Sequence, residues 1–329
     1  MSSEKRVNRS IWIAAMIAFA LGWISMTGAS AAEAYPTRPI NMIVGFAPGG
    51  ASDLGSKIVA DKMPEFLGQP LTPVYKPGGG GTLSASFLAK AKPDGYTTLV
   101  MVSFMNLPPE AAKSLDYKLD DFILTGMWGR APYFVIVKAD SRWKTLNDLV
   151  EEAKKNPGKL SFGTTGATAG GYFVYSLLAK HSGIKMTFVP FKSCGEVMTS
   201  LLGGHIDVYF CVGAGGATDS PLMRTLACAE DKRLEGLSDV PTITELGWST
   251  KFSTWYTFAF PKGTPKEIVD KFSTAQKKAI EKYSKEITQN LRKVDMWPIF
   301  MDQEATVKEF QNQYEVIRAI MKEAGPASK

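Results

Sequence analysis

The fold is decided by one stretch, Ile40-Asn41-Met42-Ile43-Val44-Gly45-Phe46-Ala47-Pro48-Gly49-Gly50-Ala51-Ser52-Asp53. An apolar run typical of a buried strand ends at Phe46, a Pro-Gly-Gly turn follows, and Ser52-Asp53 opens a helical pattern. Glycine admits positive φ and lets a ligand approach the backbone closely. The first N–H groups of a helix lack intrahelical partners, so a helix N-terminus is a ready anion site. Two interpretations stand: a loop that holds a negatively charged group, most simply a carboxylate, or an ordinary strand-to-helix turn.

The same order of strand, loop and helix repeats along the chain. The predicted strands cover residues 40–46, 71–75, 97–103, 122–127, 133–137, 160–164, 187–189, 206–212 and 255–260. The predicted helices cover residues 52–66, 82–91, 145–155, 265–283 and 304–323, and a further helix runs from the loop at 165–171 through residue 180. Strands that alternate with helices predict parallel βαβ units in a doubly wound α/β sheet.

Composition excludes several classes of protein. The 329 residues are enough for two domains, and 45% hydrophobic with 21% charged residues is typical of a globular chain. The formal net charge of +6 is spread along the sequence without a basic block interleaved with aromatics, which argues against nucleic-acid binding. The sequence has no G-x-S-x-G motif, and the Gly78–Gly81 run lacks the Lys-Ser/Thr of a P-loop, so we expect no enzyme.

The first residues predict export. Lys5, Arg6 and Arg9 precede an apolar run at residues 11–24, and small residues follow up to Ala34. This order is that of a signal peptide at residues 1–34 with cleavage after Ala31 or Ala34, which predicts an exported protein. A permanent anchor is the alternative, disfavoured because the run is shorter than a typical membrane span.

Three cysteines, Cys194, Cys211 and Cys228, are an odd number for an oxidising compartment. Their spacing matches no zinc pattern, and only His181 and His205 could assist, so we expect no metal and no cofactor. Buried free thiols are the first interpretation, and one disulfide is the second.

Several short motifs, in a fixed order from Tyr35 almost to the C-terminus, together resemble one family: the Bug-type periplasmic solute receptors of tripartite tricarboxylate transporters. The motifs are Tyr35-Pro36-Thr37-Arg38-Pro39-Ile40, Phe46-Ala47-Pro48-Gly49-Gly50-x-x-Asp53, Gly68-Gln69-Pro70, Lys76-Pro77-Gly78-Gly79-Gly80-Gly81, Pro93-Asp94-Gly95-Tyr96-Thr97, Asn156-Pro157-Gly158-Lys159-Leu160, Val189-Pro190-Phe191-Lys192, Leu202-Gly203-Gly204, Asp239-Val240-Pro241-Thr242 and Pro261-x-Gly263-Thr264-Pro265.

The resemblance implies a two-lobed periplasmic-binding-protein fold of type II, the Venus-flytrap arrangement, with the ligand in the cleft between the lobes. One lobe would comprise residues 35–137 with 258–329, and the other residues 138–257. It also implies a periplasmic protein of the Gram-negative type that closes on a small carboxylate and delivers it to the membrane permease subunits of such a transporter. We expect the protein to be a monomer. A receptor that informs a sensor kinase is the alternative, and a secreted hydrolase is a third hypothesis.

In the family, two facing loops grip the carboxylate. Here they would be residues 46–53 and 164–172, with Ser103 nearby. The ligand-binding residues that the resemblance implies are Phe46, Ala47, Pro48, Gly49, Gly50, Asp53, Ser103, Thr164, Thr165, Gly166, Thr168, Ala169 and Tyr172.

This chain departs from the family pattern Ser-x-Gly-x-Gly-Ser-x-x-His in the second loop. Ala169 replaces a hydroxyl residue and Tyr172 replaces the histidine. With Phe46 and Phe104 near the cleft, these changes favour an aromatic or partly apolar carboxylate, and a dicarboxylate is the other candidate.

Charged residues near the predicted loops have alternative roles. Asp53 either complements the dipole of the helix or contacts the ligand. Arg130 either binds a carboxylate in bidentate fashion or forms a surface salt bridge. Lys192 is interpreted as structural, and Ser193 stands where the family usually has glycine.

Overall fold

The structure is a computed structural model that describes residues 35–107, 115–213 and 216–324. Backbone contacts divide the chain into Met1–Thr37 and Arg38–Lys329, and every element below lies in the second unit. The predicted signal peptide and both of its cleavage sites lie outside the described residues. Within the described ranges, no helix combines the length and the apolar character that crossing a membrane requires.

Ten strands and nine helices of α type are present in the described residues. The strands are β1 (Ile40–Val44), β2 (Leu71–Tyr75), β3 (Thr97–Val102), β4 (Phe122–Lys138), β5 (Ser161–Thr164), β6 (Thr187–Pro190), β7 (Val208–Val212), β8 (Met223–Cys228), β9 (Ser253–Pro261) and β10 (Trp297–Met301). The helices are α1 (Ala51–Ala60), α2 (Pro64–Leu67), α3 (Thr82–Ala89), α4 (Leu146–Lys155), α5 (Gly170–Ser182), α6 (Cys194–Leu202), α7 (Lys266–Lys282), α8 (Ser284–Arg292) and α9 (Gln303–Ala324). Short 3₁₀ turns lie at Gly79–Gly81, Ser103–Met105, Leu119–Asp121 and Ala217–Asp219.

The strands form two sheets that share β4. In the first sheet the order is β2-β1-β3-β9-β4-β10, and in the second it is β8-β4-β7-β5-β6. Strand β1 runs parallel to β2 and β3, and β5 runs parallel to β6 and β7, as the βαβ pattern predicts. Strands β4 and β9 run antiparallel to their neighbours. The α/β prediction is confirmed, and both sheets contain parallel and antiparallel strands rather than parallel strands alone.

Strand β4 corrects the prediction of two separate strands at residues 122–127 and 133–137. It is continuous over 17 residues. Gly129 and Pro132 lie between the two predicted strands, yet Gly129 pairs with Tyr256 and Pro132 with Ser253. From Tyr133 onward the partners of β4 change to β7 and β8, so the proline stands where one ladder ends. Proline is tolerated there because its missing N–H interrupts only the end of a ladder.

The helix predicted at residues 52–66 is two helices, α1 and α2. Pro64 begins α2, since proline cannot donate to a continuing helix but suits a first turn. Elements α6, β8, α8 and β10 were not predicted. For α6 a signal existed: Ser193 caps the helix by accepting a hydrogen bond from the N–H of Glu196, an S-x-x-E start.

Aromatic side chains fill the core of each sheet. In the first sheet, Trp128 is fully buried with its ring 5.2 Å from that of Tyr256 and 5.9 Å from that of Phe258. In the second, Phe162 stacks on Tyr175 at 4.0 Å between ring centroids. Burying rings of this size supplies a large share of the hydrophobic stabilisation.

Candidate functional site

A small cavity lies where the loops after β1, β3 and β5 meet the strands that join the two sheets. From the first sheet and its loops it is lined by Phe46, Gly50, Ala51, Ser52, Phe104 and Tyr256, and from the second by Tyr133, Thr165, Cys194 and Val212. Its volume is about 20 Å³, room for a single water molecule. All ten lining residues are uncharged.

The start of α1 forms one wall. Its N-cap is Gly50, in extended conformation, and Leu54 donates the first intrahelical hydrogen bond, to the carbonyl of Gly50 at 3.0 Å. Glycine has no side chain with which to cap the helix, so the N–H groups of the first turn stay available. Ala51 and Ser52, two residues of this first turn, line the cavity.

The buried carboxylate of Asp53 stabilises the loop that precedes α1. It is 2% exposed, and one carboxylate oxygen accepts a hydrogen bond from the Gly49 N–H at 2.8 Å. The other oxygen accepts from the Tyr75 hydroxyl at 2.9 Å and pairs with the Lys57 ammonium at 2.7 Å. Burial lowers the pKa of Lys57, but its hydrogen bonds to Asp53 and Tyr75 outweigh burial and leave that pKa raised. Both oxygens of Asp53 are thus engaged within the first sheet.

The second loop brings one predicted residue, Thr165, into the lining. Thr165 is 8% exposed, and its hydroxyl makes no hydrogen bond to the residues that the structure describes. Thr164 is fully buried behind it, with its hydroxyl 3.7 Å from the sulfur of Cys211. A free hydroxyl therefore stands in the cavity that the start of α1 also lines.

Two hydrogen bonds join the loops of the two sheets. The Thr168 hydroxyl donates to the carbonyl of Gly79 at 3.0 Å, and the Ala47 N–H donates to the carbonyl of Lys192 at 3.4 Å. Gly166, at φ +130, lies so close to Gly80 that a side chain would meet its backbone nitrogen at 3.4 Å. These contacts hold loops of the two sheets together.

The other predicted residues lie around the cavity without lining it. Pro48 and Gly49 are exposed, and Ala169 is the N-cap of α5. The Ser103 hydroxyl accepts a hydrogen bond from the Trp255 N–H at 3.2 Å. Tyr172 packs in an aromatic cluster with its ring 5.1 Å from that of Phe188. Among the thirteen predicted residues, the lining contains Phe46, Gly50 and Thr165.

Two tyrosines that the sequence interpretation missed complete the walls. The Tyr133 hydroxyl is 2.6 Å from that of Thr254, and the Tyr256 hydroxyl bonds to Ser52. Burial raises the pKa of both phenols, so both are neutral at physiological pH. No local motif marks them, because strand pairing rather than sequence proximity places them here.

Arg130 does not line the cavity. One of its nitrogens donates to both oxygens of Glu230, at 2.9 and 3.0 Å, and the Ser253 hydroxyl also donates to Glu230. Glu230 is 5% exposed, so this pair is a partly buried ion pair at the junction of the sheets rather than a surface salt bridge. The guanidinium is already engaged by a carboxylate of the chain itself.

The three cysteines are free and buried, in agreement with the first interpretation of the thiols. Burial raises the pKa of the Cys228 thiol to about 12, and burial together with a hydrogen bond to Cys194 raises that of Cys211. These two thiols are therefore protonated at physiological pH. In the part of the chain that the structure describes, no three His, Cys, Asp or Glu side chains form a group that could hold a metal ion.

Comparison with known proteins identifies the family that this chain matches. The family described as the tripartite tricarboxylate transporter family receptor, TctC, matches residues 56–325. A UPF0065 protein of Cupriavidus necator is 32% identical over 310 residues, which cover 94% of each chain. Among solved structures, the periplasmic binding protein BugD is 27% identical with a TM-score of 0.82, over 88% of this chain and 99% of its own.

A protein of R. palustris, solved with adipate, is 25% identical with a TM-score of 0.82, over 89% of this chain and 99% of its own. These similarities extend over both sheets and confirm the periplasmic-binding-protein fold. The family is one of substrate-binding receptors rather than enzymes. The chain belongs to the TctC family of tripartite tricarboxylate transporter receptors, and is of the Bug type.

Proposed function

We propose that this chain is exported to the periplasm as a monomeric receptor that captures a small carboxylate and delivers it to the permease of a tripartite tricarboxylate transporter. The predicted lobes, residues 35–137 with 258–329 and residues 138–257, would close on the ligand. The chain binds the acid without transforming it.

The uncapped start of α1, together with the free hydroxyl of Thr165, is the observation that carries this proposal. Both line one cavity between the two sheets. A carboxylate is an acceptor for N–H and O–H donors and is stabilised at a helix N-terminus. The R. palustris relative solved with adipate supports a carboxylate as the ligand class.

Hinge closure is supported by where the contacts lie. The hydrogen bonds Thr168–Gly79 and Ala47–Lys192 connect loops of opposite sheets, and a cavity of about 20 Å³ does not admit an organic acid until those loops separate. A ligand that touches both loops would stabilise the closed arrangement relative to an open one.

Calorimetric titration of the mature protein with carboxylates and their amides tests the proposal. Replacing Thr165 by valine removes one hydrogen bond to a charged group, so we expect affinity to fall about tenfold or more. The matched control is Thr187→Val, because the Thr187 hydroxyl bonds to the Gly158 carbonyl and does not line the cavity. Equal affinity for acid and amide, or unchanged affinity in Thr165→Val, would contradict the proposal that the start of α1 and Thr165 bind a carboxylate.

Partner capture separates delivery to a permease from signalling. Crosslinking of the ligand-loaded protein in its native membranes should recover permease subunits. Recovery of a sensor kinase instead would favour the signalling receptor. Recovery of a chemically altered ligand after prolonged incubation would favour an enzyme.

A further inference from the structure

We infer that the acid held in this cavity carries a single carboxylate on a flat aromatic ring. This inference rests on the proposed carboxylate function and narrows its ligand class. It is carried by the distribution of polar and aromatic groups over the ten lining residues.

The polar groups suited to an anion come from two places in the lining. One is the uncapped first turn of α1, at Ala51 and Ser52, where helix N–H groups lack intrahelical partners. The other is Thr165, whose hydroxyl is a donor. The phenols of Tyr133 and Tyr256 are already bonded to Thr254 and Ser52. These donors serve one carboxylate.

A second carboxylate held within this lining would meet no cationic side chain, because all ten residues are uncharged. Arg130, the arginine that the sequence singled out, is paired with Glu230 instead. An ionised group removed from water without a paired charge or enough hydrogen bonds is strongly disfavoured. The lining therefore selects against a dicarboxylate.

Aromatic rings form most of the remaining wall. Phe46 and Phe104 meet edge to face at 6.1 Å between ring centroids, with 69° between their planes. Tyr133 and Tyr256 add two more rings from the strands at the junction of the sheets. Aromatic side chains favour ring partners in edge-to-face or offset-stacked geometry, so a flat ring gains contacts here that a saturated chain does not.

Behind Phe46, the absence of a side chain on Gly81 leaves the space that the ring occupies. A side chain on Gly81 would meet the Phe46 ring at 3.3 Å and would overlap the terminal methyl of Met105. Glycine thus makes room for both side chains, and methionine is unbranched and fills irregular gaps readily.

Titration of the wild-type protein with benzoate, cyclohexanecarboxylate, adipate and benzamide tests the inference. We expect benzoate to bind about tenfold or more tightly than cyclohexanecarboxylate or adipate, and benzamide to show no binding. In Phe104→Leu the affinity for benzoate should fall about tenfold, while the matched variant Phe188→Leu, which lies in the separate cluster around Tyr172, keeps it.

The outcomes separate this inference from the proposed function. Tight binding of adipate with weaker binding of benzoate would overturn the inference and leave the carboxylate receptor standing. Binding of benzamide as tight as that of benzoate, or silence of every acid with folded protein, would overturn both. If Phe104→Leu fails to fold by its thermal transition, the ligand panel on the wild type still decides.

Discussion

Replacing Asp53 by asparagine distinguishes the two roles that the sequence left open for this residue. The amide oxygen can still accept from the Gly49 N–H, but the new NH₂ group then faces the Tyr75 hydroxyl and the Lys57 ammonium. Hydrogen bonds to charged groups contribute about 1.5–3 kcal/mol each to stability. The Lys57 side chain is 36% exposed and regains water, which lowers the cost of losing the pair.

We therefore expect the free energy of unfolding to fall by about 2 kcal/mol, near the lower end for losing charge-assisted contacts. Urea unfolding followed by tryptophan fluorescence measures this change. The matched control is Lys57→Met, and the double variant closes a cycle that isolates the pairwise contribution. An unchanged free energy of unfolding together with lost ligand binding would refute the reasoning, and would show that the carboxylate of Asp53 serves the ligand.

Two further predictions concern stability. Gly171→Ala should lower the free energy of unfolding by about 1–3 kcal/mol, because a Cβ there would overlap the Phe210 carbonyl oxygen and the Thr164 hydroxyl. In the control Gly195→Ala, the new Cβ meets only ordinary contacts at 3.6 Å and beyond. Equal unfolding curves for the two variants would contradict this prediction. Burial holds the pKa of Asp295 above its ordinary 3.8, against hydrogen bonds from Thr218 that lower it. The folded state therefore favours the protonated form, and this contribution to stability is fully present below about pH 3.8 and is lost as pH rises through the raised pKa. Asparagine tolerates the φ of +56 at this position, so Asp295→Asn should fold and should remove this pH dependence of the free energy of unfolding. If the free energy of unfolding changes with pH by the same slope in the wild type and in Asp295→Asn, the prediction is wrong.

Much of the fold could be predicted because its signals are local. Each signal acts over a few residues: the apolar run that ends at Phe46, the glycines after it, and Asn156-Pro157-Gly158, which ends a helix. Thr145 and Asp148 form the capping box that begins α4. The ordered motifs extended these local signals to the family, which the comparisons confirm.

The walls of the cavity could not be predicted in the same way. Tyr256 reaches it because β9 pairs with both β3 and β4, and Val212 because β7 pairs with β4. Such positions depend on the register of strands far apart in sequence, which no short motif encodes. The hydrogen bond between Asp53 and Tyr75 was also not predicted, because Tyr75 lies on a neighbouring strand.

The continuity of β4 limits how the two halves of the molecule can move. One strand of 17 residues belongs to both sheets, so neither can slide past the other without breaking a hydrogen-bonded ladder. Relative motion must instead bend or twist this shared backbone. The partners of β4 change at Pro132, the last residue paired with β9, and Tyr133, the first paired with β7. If the two sheets rotate to admit a ligand, as proposed above, the bending stiffness of β4 at this change of partners, together with the ion pair of Arg130 and Glu230 beside it, would limit how far the cavity opens.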